Sequence, residues 1–286
     1  MEMIYTLPFF IRNDEKYCSY DLDLAHRCFS SLQLSDDVLV VLYNQGCLTN
    51  DEIEDFLSNY RIRTIMIGNG ENIGIAKARQ LCFEYIWENY SEVPFICEIH
   101  LDMVFTKNWH IPLVDFLKVS DEPMVSPGII TSNGELHPIN KGVSIGKVPM
   151  EYKKLEILLN RVIKEEIWEG FVHPVIHKSN ILQEIGGYDY HFLKGKQGYE
   201  DDSILLGYLY YMGTRTNWKP KAYLKSYVYH ASMAQRMTLQ GKEEDFNLNL
   251  RGLFYQYGGY GFKFLSKLHK NDDSFQKLFE NVLKQL

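Results

Sequence analysis

The sequence predicts an α/β protein with a mainly parallel sheet and helices on both of its faces. Two observations support this prediction: short apolar strand-like segments recur along the chain, and longer segments with helical spacing separate them. Parallel neighbours in a sheet need a crossover connection, which a helix supplies, so this alternation is typical of a parallel sheet. We therefore expect a ligand to bind at the carboxyl ends of the strands.

Four strands and three helices are predicted in the first hundred residues. The strands are rich in Val, Ile, Leu or Phe and are bounded by turn residues, at 3–7, 38–42, 64–67 and 95–101. The helices lie between them, at 20–32, 50–59 and 74–89. Thr49 and Glu52 form a capping-box pair at the start of the second helix, because each side chain can satisfy an exposed backbone N–H.

The pattern after residue 102 is less regular. Segment 123–146 is rich in Pro, Gly, Asn and Ser, whereas 151–168 has the spacing of an amphipathic helix. The elements predicted beyond it are a strand at 172–177, helices at 179–185 and 201–212, a strand at 222–229, and mostly helix after 231 with a glycine-rich break at 258–261. We expect an α/β domain over residues 1–230 and a helical C-terminal extension over 231–286.

Composition excludes some classes of function. The chain has 286 residues with 30 Lys and Arg against 37 Asp and Glu, so it lacks the clustered positive charge with which proteins bind nucleic acid. Its five cysteines form no CxxC pair, which argues against a zinc knuckle. The start of the chain has no signal-peptide pattern, and no apolar stretch is long enough to cross a membrane, so a cytoplasmic protein is expected, with peripheral attachment to a membrane as the alternative.

Three polar motifs occur in the order that a known family shows. They are NIGIAKAR at 72–79, HLD at 100–102, and GGYD at 186–189 followed by GYEDD at 198–202. Together they resemble the N-x-G-x-x-x-A-R, DxD and GGFD…ED elements of the family 2-like glycosyltransferases of the GT-A fold. The GYEDD run is also similar to galactosyltransferases of the same fold. The resemblance spans most of residues 1–230 and implies a GT-A-like nucleotide-sugar-binding sheet flanked by helices, with a helical C-terminal extension.

The resemblance implies a metal-dependent, inverting transfer of a sugar, of the hexosyltransferase kind, from a nucleotide-diphosphate donor to an acceptor hydroxyl. A UDP-sugar is the favoured donor. The departing diphosphate gains negative charge, which a divalent cation can stabilise. The metal positions are Asp102, which follows a buried strand, and His230, which matches a late histidine of the family. His100 replaces the first Asp of DxD, and since imidazole suits Mn²⁺ better than Mg²⁺, either ion is expected with Mn²⁺ preferred.

The GYEDD motif carries the predicted catalytic carboxylates. The resemblance assigns the general base to Asp201, with Asp202 as the rival and with Glu200 and Asp202 as acceptor or donor contacts. A structural interpretation also exists, because acidic residues at a helix start stabilise the helix dipole. His173 and His177 alternate with apolar neighbours and rank below His230 as site residues.

The predicted donor-binding residues lie near the ends of the first four strands. Gly74 is expected to permit close approach of a ligand, and Arg79 to point towards a phosphate or the uracil edge. Asn44 stands where the family usually has an acidic residue, and Asn can still pair with a uracil imide. The full set is Pro8, Phe9, Arg12, Asn44, Asn72, Gly74, Arg79 and His100.

Other functions and partners stay open at this point. A degenerate protein that binds a nucleotide sugar or glycan without transferring it is the main alternative, and the changed residues His100 and Asn44 favour it slightly. A nucleotidyltransferase would need a glycine-rich signature after the first strand, and residues 7–13 contain no glycine. The acceptor is an unidentified glycan, lipid-linked or small molecule. The apolar side of 274–286 is expected to cover the core or form a homodimer rather than lie on a membrane.

Overall fold

The computed structural model describes residues 1–232, 241–269 and 272–285. Within these residues the chain forms one mixed sheet of eleven strands with nine helices around it. The elements of the first hundred residues are β1 (Met3–Phe9), α1 (Glu15–Leu32), β2 (Leu39–Asn44), α2 (Asn50–Leu57), β3 (Arg63–Gly68), α3 (Ile75–Asn89) and β4 (Phe95–Glu98). All seven predicted elements of this part are confirmed, and the capping box of Thr49 and Glu52 is present at the start of α2.

The remainder of the chain contributes seven more strands and six more helices among the described residues. They are β5 (Met103–Val104), α4 (Ile111–Val119), β6 (Met124–Thr131), β7 (Glu135–His137), β8 (Asn140–Ser144), α5 (Tyr152–Arg161), β9 (Ile167–Glu169), β10 (Val175–Lys178), α6 (Ser179–Glu184), α7 (Glu200–Met212), β11 (Lys221–His230), α8 (Lys242–His269) and α9 (Asp272–Gln285). No helix of the described ranges is both long enough and apolar enough to span a bilayer.

The sheet is parallel in its first half and mixed in its second. Its strand order is β3-β2-β1-β4-β10-β6-β11-β5, with the β7–β8 hairpin attached to β6 and β9 attached to β11. Strands β1 to β4 pair in parallel, β10 is antiparallel to both of its neighbours, and β6 and β11 are parallel again. The expectation of a mainly parallel sheet therefore holds for β1 to β4 and for the β6–β11 pair, whereas β10 runs antiparallel between these two parts.

Alternating side chains of the strands bury both faces of the sheet. In β1, Tyr5, Leu7 and Phe9 pack into a core cluster with α1 and α4, whereas Ile4 packs into the cluster on the opposite face, beside α3 and α7. This two-sided burial explains why the first strands are continuous apolar runs without polar alternation. It also leaves the carboxyl ends of these strands as the place where polar side chains can collect.

The structure of residues 123–168 differs from what the sequence pattern suggested. Segment 123–146, for which no element was predicted, contains β6, β7 and β8, and every residue of β6 is buried. Its Gly128 is required by packing, since a Cβ there would lie 2.3 Å from the ring of Tyr227 on β11. Segment 151–168 is helical only as far as Arg161 and then forms β9. The prediction of one helix over 151–168 was wrong at its end, because pairing with β11 sets the backbone of β9 there.

The last helices pack on the same core as the sheet. Phe262 and Leu265 of α8 and Phe275 and Val282 of α9 belong to the cluster that also contains residues of β4 and α7. The predicted glycine break is confirmed, because Gly258 has φ 64° and ψ −172° inside α8. The backbone therefore turns at this glycine and continues as helix.

Candidate functional site

A cavity of about 350 Å³ lies at the carboxyl ends of the central strands. This is the position expected for a ligand in an open α/β sheet. The β7–β8 hairpin, the loop before α7 and the start of α8 form its other walls. Its lining residues are Pro8, Phe10, Gln45, Asn72, Ile75, Arg79, His100, Leu101, Asp102, Ile129, His137, Lys141, Phe171, Val172, His173, Lys196, Gln197, Glu200, Asp201, His230, Ser232 and Asp245.

Glu98 is a buried carboxylate at the end of β4, beneath the cavity floor. It accepts hydrogen bonds from His177 at 2.7 Å and from the Tyr188 hydroxyl at 3.0 Å, and it forms an ion pair with Arg79 at 3.0 Å. Burial alone raises the pKa of Glu98, but the charge of Arg79 and the bond from His177 lower it more, so the net pKa lies below its usual value. The carboxylate is therefore charged and fully engaged.

Arg79 of α3 joins this buried network to the cavity. Its Nη1 donates to the Tyr188 hydroxyl at 3.0 Å and to Oδ1 of Asp201 at 3.2 Å, and its Nη2 contacts Nε2 of His100. Burial alone lowers the pKa of Arg79, but Tyr188 and the surrounding carboxylates raise it above its usual value. The guanidinium therefore keeps its charge and orients groups on both sides of the cavity, instead of extending freely towards a ligand.

Asp201 faces the cavity from the start of α7. Its Oδ1 accepts hydrogen bonds from Nε2 of His173 at 2.8 Å and from Arg79, and its side chain is 34% exposed. The preceding Glu200 is buried and also lines the cavity. Tyr199, at the N-cap of α7, has a left-handed backbone with φ 61°. Asp201 thus combines an accessible carboxylate with two fixed donors.

Asp202 points away from the cavity. Its Oδ1 lies 2.6 Å from Nε2 of His269 near the end of α8, and it is absent from the residues that line the cavity. Helical geometry explains the difference, because successive residues of α7 project about 100° apart around the axis. Of the two candidates for the general base, Asp201 therefore lines the cavity, whereas Asp202 contacts His269 of α8.

His100, Asp102 and His230 converge on one side of the cavity. One ligand atom from each lies within 4.8 Å of the other two. Oδ1 of Asp102 is 3.3 Å from Nε2 of His230, which is 3.4 Å from Nδ1 of His100. β4 ends at Glu98, so Asp102 emerges from the loop between β4 and β5 rather than from the strand itself. His230 is the last residue of β11.

The donor set of this trio fits a divalent cation held by Asp102 and His230. A guanidinium can only donate, so Nε2 of His100 already has a partner in Arg79. Nδ1 of His100 lies 3.4 Å from Nε2 of His230. Asp102 and His230 offer one oxygen and one imidazole ligand, a combination suited to Mn²⁺ or Mg²⁺ when further oxygen ligands come from a substrate.

Some of the predicted donor-binding residues line the cavity, whereas others are buried in the protein behind it. Pro8 and Asn72 line it. Phe9 lies in the core because alternate residues of β1 face opposite sides, and Phe10 lines the cavity in its place. Arg12 is held by Asp21, through Nε to Oδ2 at 2.9 Å and Nη2 to Oδ1 at 2.5 Å.

Asn44 and Gly74 also have structural partners. The Asn44 amide donates to the Leu48 carbonyl at 3.0 Å and to Oδ1 of Asn50 at 2.7 Å, and the side chain is fully buried. The next residue, Gln45, lines the cavity, and its Oε1 has no hydrogen-bond partner within the described ranges. Gly74 allows close approach of protein backbone, because a Cβ there would lie 2.8 Å from Cα of Lys196.

Several site residues were missed or ranked low in the sequence. Glu98 is a charged residue inside an otherwise apolar strand. Because a Glu is rarely buried unless it is paired, this position in the sequence could have indicated a buried carboxylate with partners. His177 lies on β10 and contacts Glu98, whereas His173 precedes the strand and contacts Asp201. Gln45 and Gln197 carry no local sequence signal, because an uncharged side chain beside a turn is common.

No family model and no curated protein matches the sequence of this chain. Among solved structures, S. aureus TarS 1-349 covers 96% of this chain and 72% of its own at 15% identity and TM-score 0.55. The structure of S. aureus TarS covers 96% of this chain and 44% of its own, at 16% identity and TM-score 0.54. TarS 1-349 in complex with UDP-GlcNAc covers 96% of this chain and 73% of its own, at 12% identity and TM-score 0.53. The chain therefore has the α/β, GT-A-like fold of these structures.

Proposed function

We propose that this protein is a glycosyltransferase that moves a sugar from a nucleotide-diphosphate donor to an acceptor hydroxyl. The observation that carries the proposal is that two kinds of group line one cavity. One is the Asp201 carboxylate, which accepts hydrogen bonds from His173 and Arg79. The other is the carboxylate of Asp102 beside the imidazole of His230. Such a reaction needs one group that accepts a proton and another that handles the charge of the departing diphosphate. A TarS structure of the same fold holds UDP-GlcNAc, which supports a UDP-sugar as the donor.

The donor would lie over the ends of β1, β2 and β4. Pro8, Phe10, Gln45 and Asn72 line this part of the cavity. The buried Oε1 of Gln45 can accept a hydrogen bond from a base imide, and the apolar faces of Pro8 and Phe10 can cover a ring. Asp102 and His230 would hold Mn²⁺ or Mg²⁺ beside the diphosphate, and the ion would supply positive charge to the leaving group.

Asp201 is the general base of this proposal. Its carboxylate would accept the proton of the acceptor hydroxyl as the oxygen forms a bond to the anomeric carbon and the bond from that carbon to the diphosphate breaks. One such displacement inverts the anomeric configuration. Arg79 and His173 hold one oxygen of Asp201, which fixes the orientation of the group and its distance from the bound sugar.

A second function, binding of a nucleotide sugar without transfer, is favoured by one observation. His100 stands where the resembled motif has an acidic residue, and its Nε2 contacts Arg79. The number of protein ligands for a cation is reduced accordingly. Turnover of the donor separates the two functions, since both predict donor binding and only the enzyme releases nucleoside diphosphate.

The test begins with thermal denaturation in the presence of UDP, GDP, CDP and UDP-GlcNAc, each with Mn²⁺, with Mg²⁺ and with a chelator. We expect UDP and UDP-GlcNAc to raise the melting temperature most when Mn²⁺ is present, because a ligand that binds only the native state stabilises it. Release of UDP from UDP-GlcNAc is then measured with and without candidate glycan acceptors. Failure of every nucleotide to shift the melting temperature contradicts the proposed function.

A further inference from the structure

The loop that precedes α7 has no helix or strand of its own, although it contributes two residues to the cavity wall. Residues 195–199 connect the turn after α6 to α7 and include Lys196 and Gln197, and Glu200 and Asp201 follow at once. Backbone N–H and C=O groups of such a segment still need partners when they are buried. Their partners decide how firmly the two carboxylates are placed.

One side chain of α8 supplies most of these partners. The amide oxygen of Asn249 accepts the N–H of Gly195 at 2.6 Å. Its amide nitrogen lies 3.2, 3.3 and 2.7 Å from the carbonyl oxygens of Gly195, Gln197 and Gly198, which share its two N–H donors. The exposed fraction of Asn249 is 0%, so water does not compete for these bonds. A single buried amide therefore bonds to three of the four residues from Gly195 to Gly198.

Direct packing brings α8 and this loop together. A Cβ at Gly195 would lie 2.2 Å from the carbonyl oxygen of Asp245, and one at Gly198 would lie 2.4 Å from the ring of Phe246. Oδ1 of Asp245 also accepts the N–H of Lys196 at 2.9 Å. Glycine is needed at both loop positions because the helix leaves no room for a side chain.

The same loop reaches α3 and thereby Arg79. The carbonyl of Lys196 accepts the N–H of Ile75 in the first turn of α3 at 2.9 Å. Arg79 lies one turn further along α3 and contacts Asp201. A shift of the loop would therefore displace Asp201 and the helix start that carries its partner. The backbone of Lys196 connects two parts of the site that are about 120 residues apart in the sequence, at Ile75 and Lys196.

We propose that Asn249 is a positioning residue of the active site, which acts through the 195–199 loop to place Glu200 and Asp201 against the cavity. The C-terminal helical region is, on this proposal, a structural component of the site. The catalytic part of the proposal rests on the proposed function, in which Asp201 is the general base. The loop-holding part depends only on the contacts of Asn249.

The first test measures hydrogen exchange by mass spectrometry in Asn249→Ser, Asn249→Asp and wild type. The Ser variant shortens the side chain, and the Asp variant keeps its shape but replaces the donor amide with acceptor oxygens that face three carbonyls. We expect peptides that cover 194–202 to exchange roughly tenfold faster in both variants, while peptides of β1 and β4 are unchanged. Asn247→Ala is the matched control, because Asn247 is exposed on the same helix.

The second test separates positioning from general loss of stability. We expect kcat with UDP-GlcNAc to fall roughly tenfold or more in the Asn249 variants, while the dissociation constant for UDP-GlcNAc changes less than about threefold. In an Asp201→Asn background the same substitutions should cause little further loss of kcat. Asn249 acts on kcat by positioning the Asp201 carboxylate, which is absent from that background. Asn247→Ala should match its parent in both backgrounds.

The proposal is overturned if exchange at 194–202 does not increase, or if it increases equally throughout the chain. Additive losses of kcat in the Asp201→Asn background overturn the catalytic part. If wild type turns over no nucleotide sugar, the proposed function fails, and the exchange measurement still decides whether Asn249 holds the loop. Should Asn249→Asp unfold, because a buried carboxylate that faces carbonyl oxygens is costly, Asn249→Ser supplies the same comparison with a neutral side chain.

Discussion

Nε2 of His269 lies 2.6 Å from Oδ1 of Asp202, so the end of α8 is tied to the first turn of α7 beside the candidate base. The pair joins residues 67 positions apart in the chain. It also places a titratable group where its charge depends on a carboxylate. Protonation of one histidine therefore contributes to how α8 is held against the helix that carries Asp201.

We predict that this contact depends on pH. Burial alone lowers the pKa of His269, but the hydrogen bond and charge of Asp202 raise it more, so the net pKa lies above its usual value. The stabilisation is then fully present below the unfolded pKa of about 6.5 and is lost as the pH rises through the folded pKa. Wild type should melt about 1–3 °C above His269→Gln near pH 6, because the pair is partly exposed. The measurement is thermal denaturation of both proteins from pH 6 to pH 9, and parallel curves would contradict the prediction.

Glu98→Gln should destabilise the fold. The substitution leaves the buried Arg79 without its nearest charge partner, and breaking such a pair costs about 3 kcal/mol or more. The folded pKa of Glu98 is lowered, so its contribution is present above the unfolded pKa of about 4.3 and is lost as the pH falls through the folded pKa. Urea denaturation at pH 7 and pH 4 measures the difference. Glu92→Gln, an exposed change, is the control and should shift the free energy of unfolding by less than about 0.5 kcal/mol.

Asp201→Asn should slow transfer strongly and leave donor binding nearly intact. The amide keeps the shape of the side chain but accepts no proton, so kcat should fall by about 10²- to 10⁴-fold. Asp202→Asn is the matched comparison, because it removes the neighbouring carboxylate that contacts His269 and does not line the cavity. UDP release and UDP affinity are measured for both. If kcat falls more in Asp202→Asn than in Asp201→Asn, the general base is Asp202 and not Asp201.

Asp102→Ala and His230→Ala should each weaken the Mn²⁺-dependent binding of UDP. Each substitution removes one of two protein ligands for the expected cation, and we expect the affinity for UDP in Mn²⁺ to fall roughly tenfold or more while affinity in a chelator is unchanged. Calorimetry with and without Mn²⁺ measures both quantities. Asp121→Ala, an exposed acidic residue outside the cavity, is the control. If wild type and the three variants bind UDP with equal affinity in Mn²⁺, Asp102 and His230 do not hold a cation.

The sequence alone determined the first half of the fold. Strands β1 to β4 and the helices between them follow from local patterns, since strands buried on both faces require continuous apolar runs and helices require a 3.6-residue period. It also predicted Asp102, Asp201 and His230 as site residues, because their segments match known motifs. Their roles as ligands and base remain predictions.

Only the tertiary structure decided which polar groups meet. Arg79 contacts Asp201, Glu98 contacts His177, and Asn249 contacts the loop before α7, all between segments that are far apart in the chain. Such contacts depend on strand direction, on the rotation of each helix about its axis, and on packing against neighbours. Local periodicity records which side of an element is buried, but it does not record which distant polar group lies opposite. The position of the distant partner therefore separates Asp201, which faces the cavity, from Asp202, which contacts His269 of α8.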